Sequence, residues 1–186
     1  MVVGKQKQKG QNRGARQEGH DLRVDCAIRQ IAAPSEVVYR ALTTRNAVQS
    51  WLPPAGACGV IHDFEPHPNG LFRMTLIFET PDENGARKSS SNTDVINGEF
   101  LELVPNEVVR QRCTFVSDDP AFAGAMVMTW HLTSIGGETE VRVSAENVPP
   151  GIDHRNHQRG MNSSLANLAS YVEQRGSLQV AAGADI

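Results

Sequence analysis

The sequence predicts an α+β domain in which a curved antiparallel sheet, apolar on one face, wraps around a long C-terminal helix. Three observations carry this. Segments between residues 71 and 146 alternate apolar and polar residues with a period of two. Residues 153–173, DHRNHQRGMNSSLANLASYVE, hold an apolar stripe at helical spacing. No internal repeat and no linker marks a second unit. Strands with one apolar face need a cover, and the final helix supplies it.

The elements follow in order. DLRVDCAIRQI (21–31) alternates, with Leu22, Val24, Cys26 and Ile28 on its apolar side, and predicts a strand. APSEVVYRALTT starts a helix: Pro34 suits the first turn, Glu36 suits its positive end, and Val37, Val38, Ala41 and Leu42 form a stripe. A second short helix covers 45–51 and is stopped by Pro53 and Pro54. In LFRMTLIFE, Phe72, Met74, Leu76 and Phe78 share one face, after an Asn69-Gly70 turn. PDENGARKSSSN (81–92) is polar and predicts an exposed loop. TDVINGEFLELV is a strand with a bulge or bend expected at Gly98. EVVRQRCTF follows the Pro105-Asn106 turn, and its alternation sets Cys113 with Gln111 and Phe115. AMVMTWHLTSI puts Met126, Met128, Trp130 and Leu132 on one side and His131 on the other. The Gly136-Gly137 turn leads to ETEVRVSAENV, with Val141 and Val143 on its apolar side.

Composition narrows the function classes. The 186 residues are 39% hydrophobic and 21% charged, which suits one globular domain with its own core. No apolar run approaches the roughly 20 residues of a membrane helix, and no apolar stretch near the start resembles a secretory signal. Three cysteines, Cys26, Cys58 and Cys113, without a CxxC pair, speak for buried thiols in a reducing cytoplasm. The net charge of −3 conceals an asymmetry: residues 1–19 carry +4 and the remainder −7. The basic segment is poor in apolar residues after Val3 and is expected to be a disordered tail. An acidic body with two Trp and two Tyr offers no platform for nucleic acid. The expected organisation is a tail over 1–19, a domain over 20–175 and a flexible tail over 176–186.

Asp153 suits the N-cap of the final helix. On a wheel of about 100° per residue, Met161, Leu165, Leu168 and Val172 cluster, and His154 and His157 continue that stripe inward. Three readings stand open for the histidines: half-buried residues bonded to nearby backbone, groups at the mouth of a ligand cavity, or metal ligands. HxxH supplies two ligands and nothing nearby supplies a third, so no metal and no cofactor is expected. GxSxG, GxGxxG and the P-loop are absent. His62 and His67 sit in or beside a Pro-rich turn and are expected to be exposed.

IAAPSEVVYRALTTRNAVQSWLPPAG, NGEFLELVPNEVV, MTWHLTSIGGETEVRV and VPPGIDHRNHQRGMNSSLANLASYVE, in this order and spacing, resemble the START-like (SRPBCC) helix-grip superfamily. More narrowly, the chain resembles bacterial single-domain relatives of the C-terminal domain of the activator of Hsp90 ATPase, over about residues 21–175. EPHPNGLFR keeps only Gly70 of the Arg-x-Gly-Gly hairpin many relatives carry, and Leu52 replaces a frequent second aromatic after Trp51.

The resemblance implies an elongated apolar cavity between the sheet and the C-terminal helix. Trp51, Phe72, Met74 and Phe78 are then candidate wall residues. So are Cys113, Met128, Trp130, Met161 and Leu165, with His154 and His157 near an opening. The first functional reading is non-catalytic binding of a small hydrophobic molecule. The second is an enzyme of the cyclase or hydrolase kind using an inward histidine as acid or base. The third is a protein-interaction module. Nucleic acid and membrane insertion are not expected as partners, and a homodimer stays open. Direct contact with Hsp90 is not expected, because the eukaryotic activators bind it through a separate N-terminal domain.

Overall fold

The computed structural model describes residues 23–80 and 88–182, with side chains described through residue 174. The basic segment 1–19 and most of the loop expected at 81–92 lie outside the described residues. The chain runs β1 (Val24–Ile31), α1 (Ser35–Thr43), α2 (Arg45–Trp51), β2 (Ala57–Phe64), β3 (Leu71–Phe78), β4 (Thr93–Val104) and β5 (Val108–Phe115). A 3-10 turn (Pro120–Phe122), β6 (Met126–Ile135), β7 (Glu138–Glu146) and α3 (His154–Ala182) complete it. All pairings are antiparallel, and the order β1-β7-β6-β5-β4-β3-β2 makes β1 and β2 the two edges. The α+β helix-grip architecture expected from the sequence is therefore present. Part of the segment 176–186 read as a tail continues α3 as far as Ala182.

Period two reports faces well where a strand has neighbours on both sides. Phe72, Met74 and Phe78 are buried, as are Met126, Trp130, Leu132, Val141 and Val143. At the edge it fails. In β1 the inward residues are Asp25, Ala27 and Ile31, while Val24 and Ile28 stand outward at 55% and 46% exposure. Cys26 lies outward with them, and Cys58 is also exposed, so of the three thiols expected to be buried only Cys113 is.

Two further corrections concern the middle of the chain. β2 occupies a stretch the sequence pattern left unassigned, and it places His62 on a strand rather than in a turn. The break in β4 falls between Phe100 and Glu102, not at Gly98. Gly98 instead pairs directly with Phe72, and a Cβ there would come within 2.8 Å of the Phe72 ring. It is glycine because that ring lies across it.

α3 starts where Asp153 predicts. The Asn156 backbone N–H donates to Asp153 Oδ1 at 2.9 Å, a cap that contributes about 1 kcal/mol. Met161, Leu165, Leu168 and Val172 are buried along one face, each contributing roughly 1.5–3 kcal/mol. That face seats mainly on β1, with lighter contact to α1 and α2.

Candidate functional site

Two regions lie under the helices, one polar and one apolar. The polar one is built around Asp25, whose side chain is fully buried. Its Oδ1 accepts from Arg23 Nε at 3.0 Å and from His154 Nδ1 at 2.8 Å. Its Oδ2 accepts from Arg23 Nη2 at 2.6 Å and from His157 Nδ1 at 2.7 Å. An ionised carboxylate only accepts, so each neutral imidazole carries its proton on Nδ1 here. Arg23 also donates through Nη1 to the Ile152 carbonyl at 2.6 Å, and Gln158 Nε2 to the Cys26 carbonyl at 2.8 Å. The edge strand β1 is thus tied to the start of α3 by charge-assisted bonds.

Burial by itself would push the Asp25 carboxyl up. Hydrogen bonds from Arg23, His157 and His154, with the Arg23 charge, outweigh burial and hold it well below the usual carboxylate range. Burial pushes His157 down, and the pull of Asp25 does not fully offset this; the charges of Arg23 and Lys88 push the same way as burial. His157 is 14% exposed in its side chain, His154 63%. The first turn of a helix is itself unfavourable for an imidazolium, in keeping with a neutral His157.

The apolar region is a cavity of about 130 Å³ between the two short helices and the sheet. Leu42, Val48, Trp51 and Leu52 form its helical side. Phe72 and Ile96 line it from β3 and β4; Val109, Gln111, Cys113 and Phe115 from β5. Met126, Met128 and Trp130 close it from β6. Trp51 and Trp130 meet edge to face, 5.6 Å between centroids and 82° between planes. The Trp51 indole N–H is taken up by the Ala41 carbonyl at 2.9 Å. Burial pushes the Cys113 thiol up to about 12, so it stays protonated.

Of the wall residues expected from the sequence, Trp51, Phe72, Cys113, Met128 and Trp130 line this cavity. Met74, Phe78, Met161 and Leu165 are buried elsewhere. The cavity differs in place from the one the resemblance implies: α1 and α2 roof it, and no described side chain of α3 is among its lining. The stripe of α3 packs mainly on β1. His154 and His157 likewise are not among the cavity's lining, and both bond through Nδ1 to the Asp25 carboxylate rather than to backbone. The two regions are nonetheless neighbours: the Lys88 charge that bears on His157 sits 4.8 Å over the ring of Phe115, a cavity residue.

Asp25 itself was missed by the pattern, because an acid flanked by Val24 and Cys26 reads as the polar side of its strand. A signal did exist. Two histidines turned inward by the helical wheel require an inward acceptor, and Asp25 is the one acid within Val24–Ile31.

The family model for activator of Hsp90 ATPase homolog 1-like protein matches residues 32–173. The chain belongs to this family. No curated protein matches it. Among solved structures, a protein of Chromobacterium violaceum is 29% identical, with a TM-score of 0.71 over 81% of this chain and 96% of that one. A Mesorhizobium loti protein is 23% identical, with a TM-score of 0.61 over 82% and 98%. A protein of Arthrobacter aurescens shares the fold at 9% identity, with a TM-score of 0.66 over 81% and 86%. The family member described here thus has the START-like fold of bacterial single-domain proteins. Among its described residues, no helix is long and apolar enough to cross a membrane.

Proposed function

We propose that this protein binds a small hydrophobic molecule in the cavity between α1, α2 and the sheet, and does so without turning it over. One observation carries the reading: a close-packed domain keeps an apolar space walled by two tryptophans and two phenylalanines. Membership of a family with a ligand-binding fold supports it. Binding is preferred to catalysis because the described lining residues include no carboxylate, imidazole or ammonium to move a proton, and the one thiol stays protonated.

Trp51 and Trp130 are the only tryptophans in the chain, and both line the cavity, so indole emission reports directly on occupancy. Titration of the full chain with a graded set of apolar compounds is expected to change that emission saturably. Native mass spectrometry of protein taken from its own host is expected to release a stoichiometric apolar compound on denaturation. No saturable change with any compound, together with no released compound, would remove this reading. Attention would then pass to the outward apolar residues Val60, Ile77 and Val116 as a protein contact.

A further inference from the structure

We infer that the cavity takes a neutral, single-ring compound bearing one hydrogen-bond-accepting oxygen, of the aryl ketone kind. The inference rests on the binding reading above and adds size, charge and polarity to it.

Size comes from volume. A cavity of about 130 Å³ stands close to the engineered apolar cavities of about 150 Å³ that admit benzene, and well below the roughly 300–1,000 Å³ of drug-sized pockets. Trp51, Trp130, Phe72 and Phe115 offer ring faces and edges on several sides, which suits a flat aromatic guest better than a flexible chain.

Charge follows from the lining. The described wall residues hold no charged group, and Cys113 remains a thiol. Lys88, a cation seated over the Phe115 ring, is already committed to Asp94 at 2.9 Å. An anionic ligand would lose its hydration and meet no unpaired cation.

Polarity follows from two groups left over. Trp130 is buried on the cavity wall, and among the described residues nothing accepts its indole N–H. The amide of Gln111, also on the wall, has no hydrogen bond among them either. Trp51 shows the contrast: its N–H is satisfied by Ala41 and makes no demand on a guest. A buried donor without an acceptor is costly, so a guest that brings an oxygen to Trp130 is favoured over a hydrocarbon of equal size. Indole only donates, which makes the matching group an acceptor such as a carbonyl oxygen.

Isothermal titration calorimetry of the full chain tests each part, with acetophenone, ethylbenzene, phenylacetate and decan-1-ol as probes. Acetophenone is expected to bind roughly fivefold to tenfold tighter than ethylbenzene, the ratio one net hydrogen bond gives. Phenylacetate is expected to bind weakest. Trp130→Phe keeps an aromatic ring, enlarges the cavity and removes the N–H, so the readout is the ratio of acetophenone to ethylbenzene affinity, which is expected to fall toward one. Gln111→Leu provides a second variant should Trp130→Phe lose its native circular dichroism. Equal affinity for ketone and hydrocarbon, or a preference that survives both variants, overturns the assigned acceptor. Tightest binding by phenylacetate overturns neutrality, and tightest binding by decan-1-ol overturns the single ring; in either case the binding reading stands. Failure of all four probes overturns the aryl ketone assignment, while the binding reading falls only if the wider titration and native mass spectrometry are also negative.

Discussion

Asp25 and Cys113 are both acids, both face inward from the sheet, and both are buried, yet their surroundings push them in opposite directions. Asp25 receives hydrogen bonds from three side chains and is held ionised. Cys113 is surrounded by apolar wall residues and is held neutral. The difference separates the two regions by task. Around Asp25 the side chains of Arg23, His154 and His157 converge on one carboxylate. Around Cys113 space is left, and the side chains of Trp130 and Gln111 have no hydrogen-bond partner among the described residues. One region is fastened and its neighbour stays hollow.

The largest effect should come from breaking the fastened end. Asp25→Ala leaves Arg23 and His157 without their acceptor in a buried setting, and is expected to cost about 3–5 kcal/mol, the range for removing one partner of a buried ion pair. Urea unfolding followed by circular dichroism measures it. A loss under about 1 kcal/mol, the range of exposed pairs, would show that solvent already satisfies the cluster.

How far each region was legible in the sequence follows from the same contrast. The apolar region could be read because its residues obey local rules. Phe72, Cys113, Met128 and Trp130 each sit on the apolar side of a strand, and Trp51 stands at the end of a helix that two prolines stop. The polar cluster could not be read that way. Its members lie about 130 positions apart along the chain, and Asp25 occupies an edge strand whose outward face is apolar. Hydrophobic alternation assumes that the apolar side goes in. At β1 that assumption reverses, because hydrogen bonds from Arg23, His154 and His157 make burial of the acid favourable. The position of the cavity was out of reach for a different reason: pattern shows that α3 has an inward stripe but not which strands that stripe will fill.

Titration should separate the two regions on the pH axis. His157 lies below its ordinary value of about 6.5, so as pH falls through that value the unfolded chain gains a proton that the native one resists. Stability therefore declines below pH of about 6.5. A second decline follows below about 4, where the unfolded Asp25 takes a proton that the native carboxylate, held ionised by Arg23 and both histidines, does not. Cys113 acts at the other end. Its native thiol titrates only near about 12, whereas the unfolded thiol ionises from about 8.5, so stability declines as pH rises above that value. Urea midpoints collected from pH 4 to 10 should form a dome. His157→Gln is expected to flatten the upper part of the acid limb, and Cys113→Ala the alkaline limb. If either variant flattens the opposite limb, the titrating groups have been assigned to the wrong regions.

The smallest effect is the most discriminating, because one kind of change should have opposite signs in the two regions. Ala27 and Cys113 are both small, inward-facing residues of the sheet. Ala27 lies two residues from Asp25 in the strand on which α3 seats. A leucine there meets a filled interior and must displace its neighbours, so Ala27→Leu is expected to cost about 1–3 kcal/mol. Cys113 lines a space of about 130 Å³. A leucine at that position adds carbon where no atom stands, so Cys113→Leu is expected to stabilise by about 0.5–1 kcal/mol, as filling a cavity commonly does. It should also weaken acetophenone binding, because the added methyl groups take the volume a ring would use. If both substitutions destabilise equally, the cavity is as tightly enclosed as the Asp25 end, and the contrast between a fastened region and a hollow one does not hold.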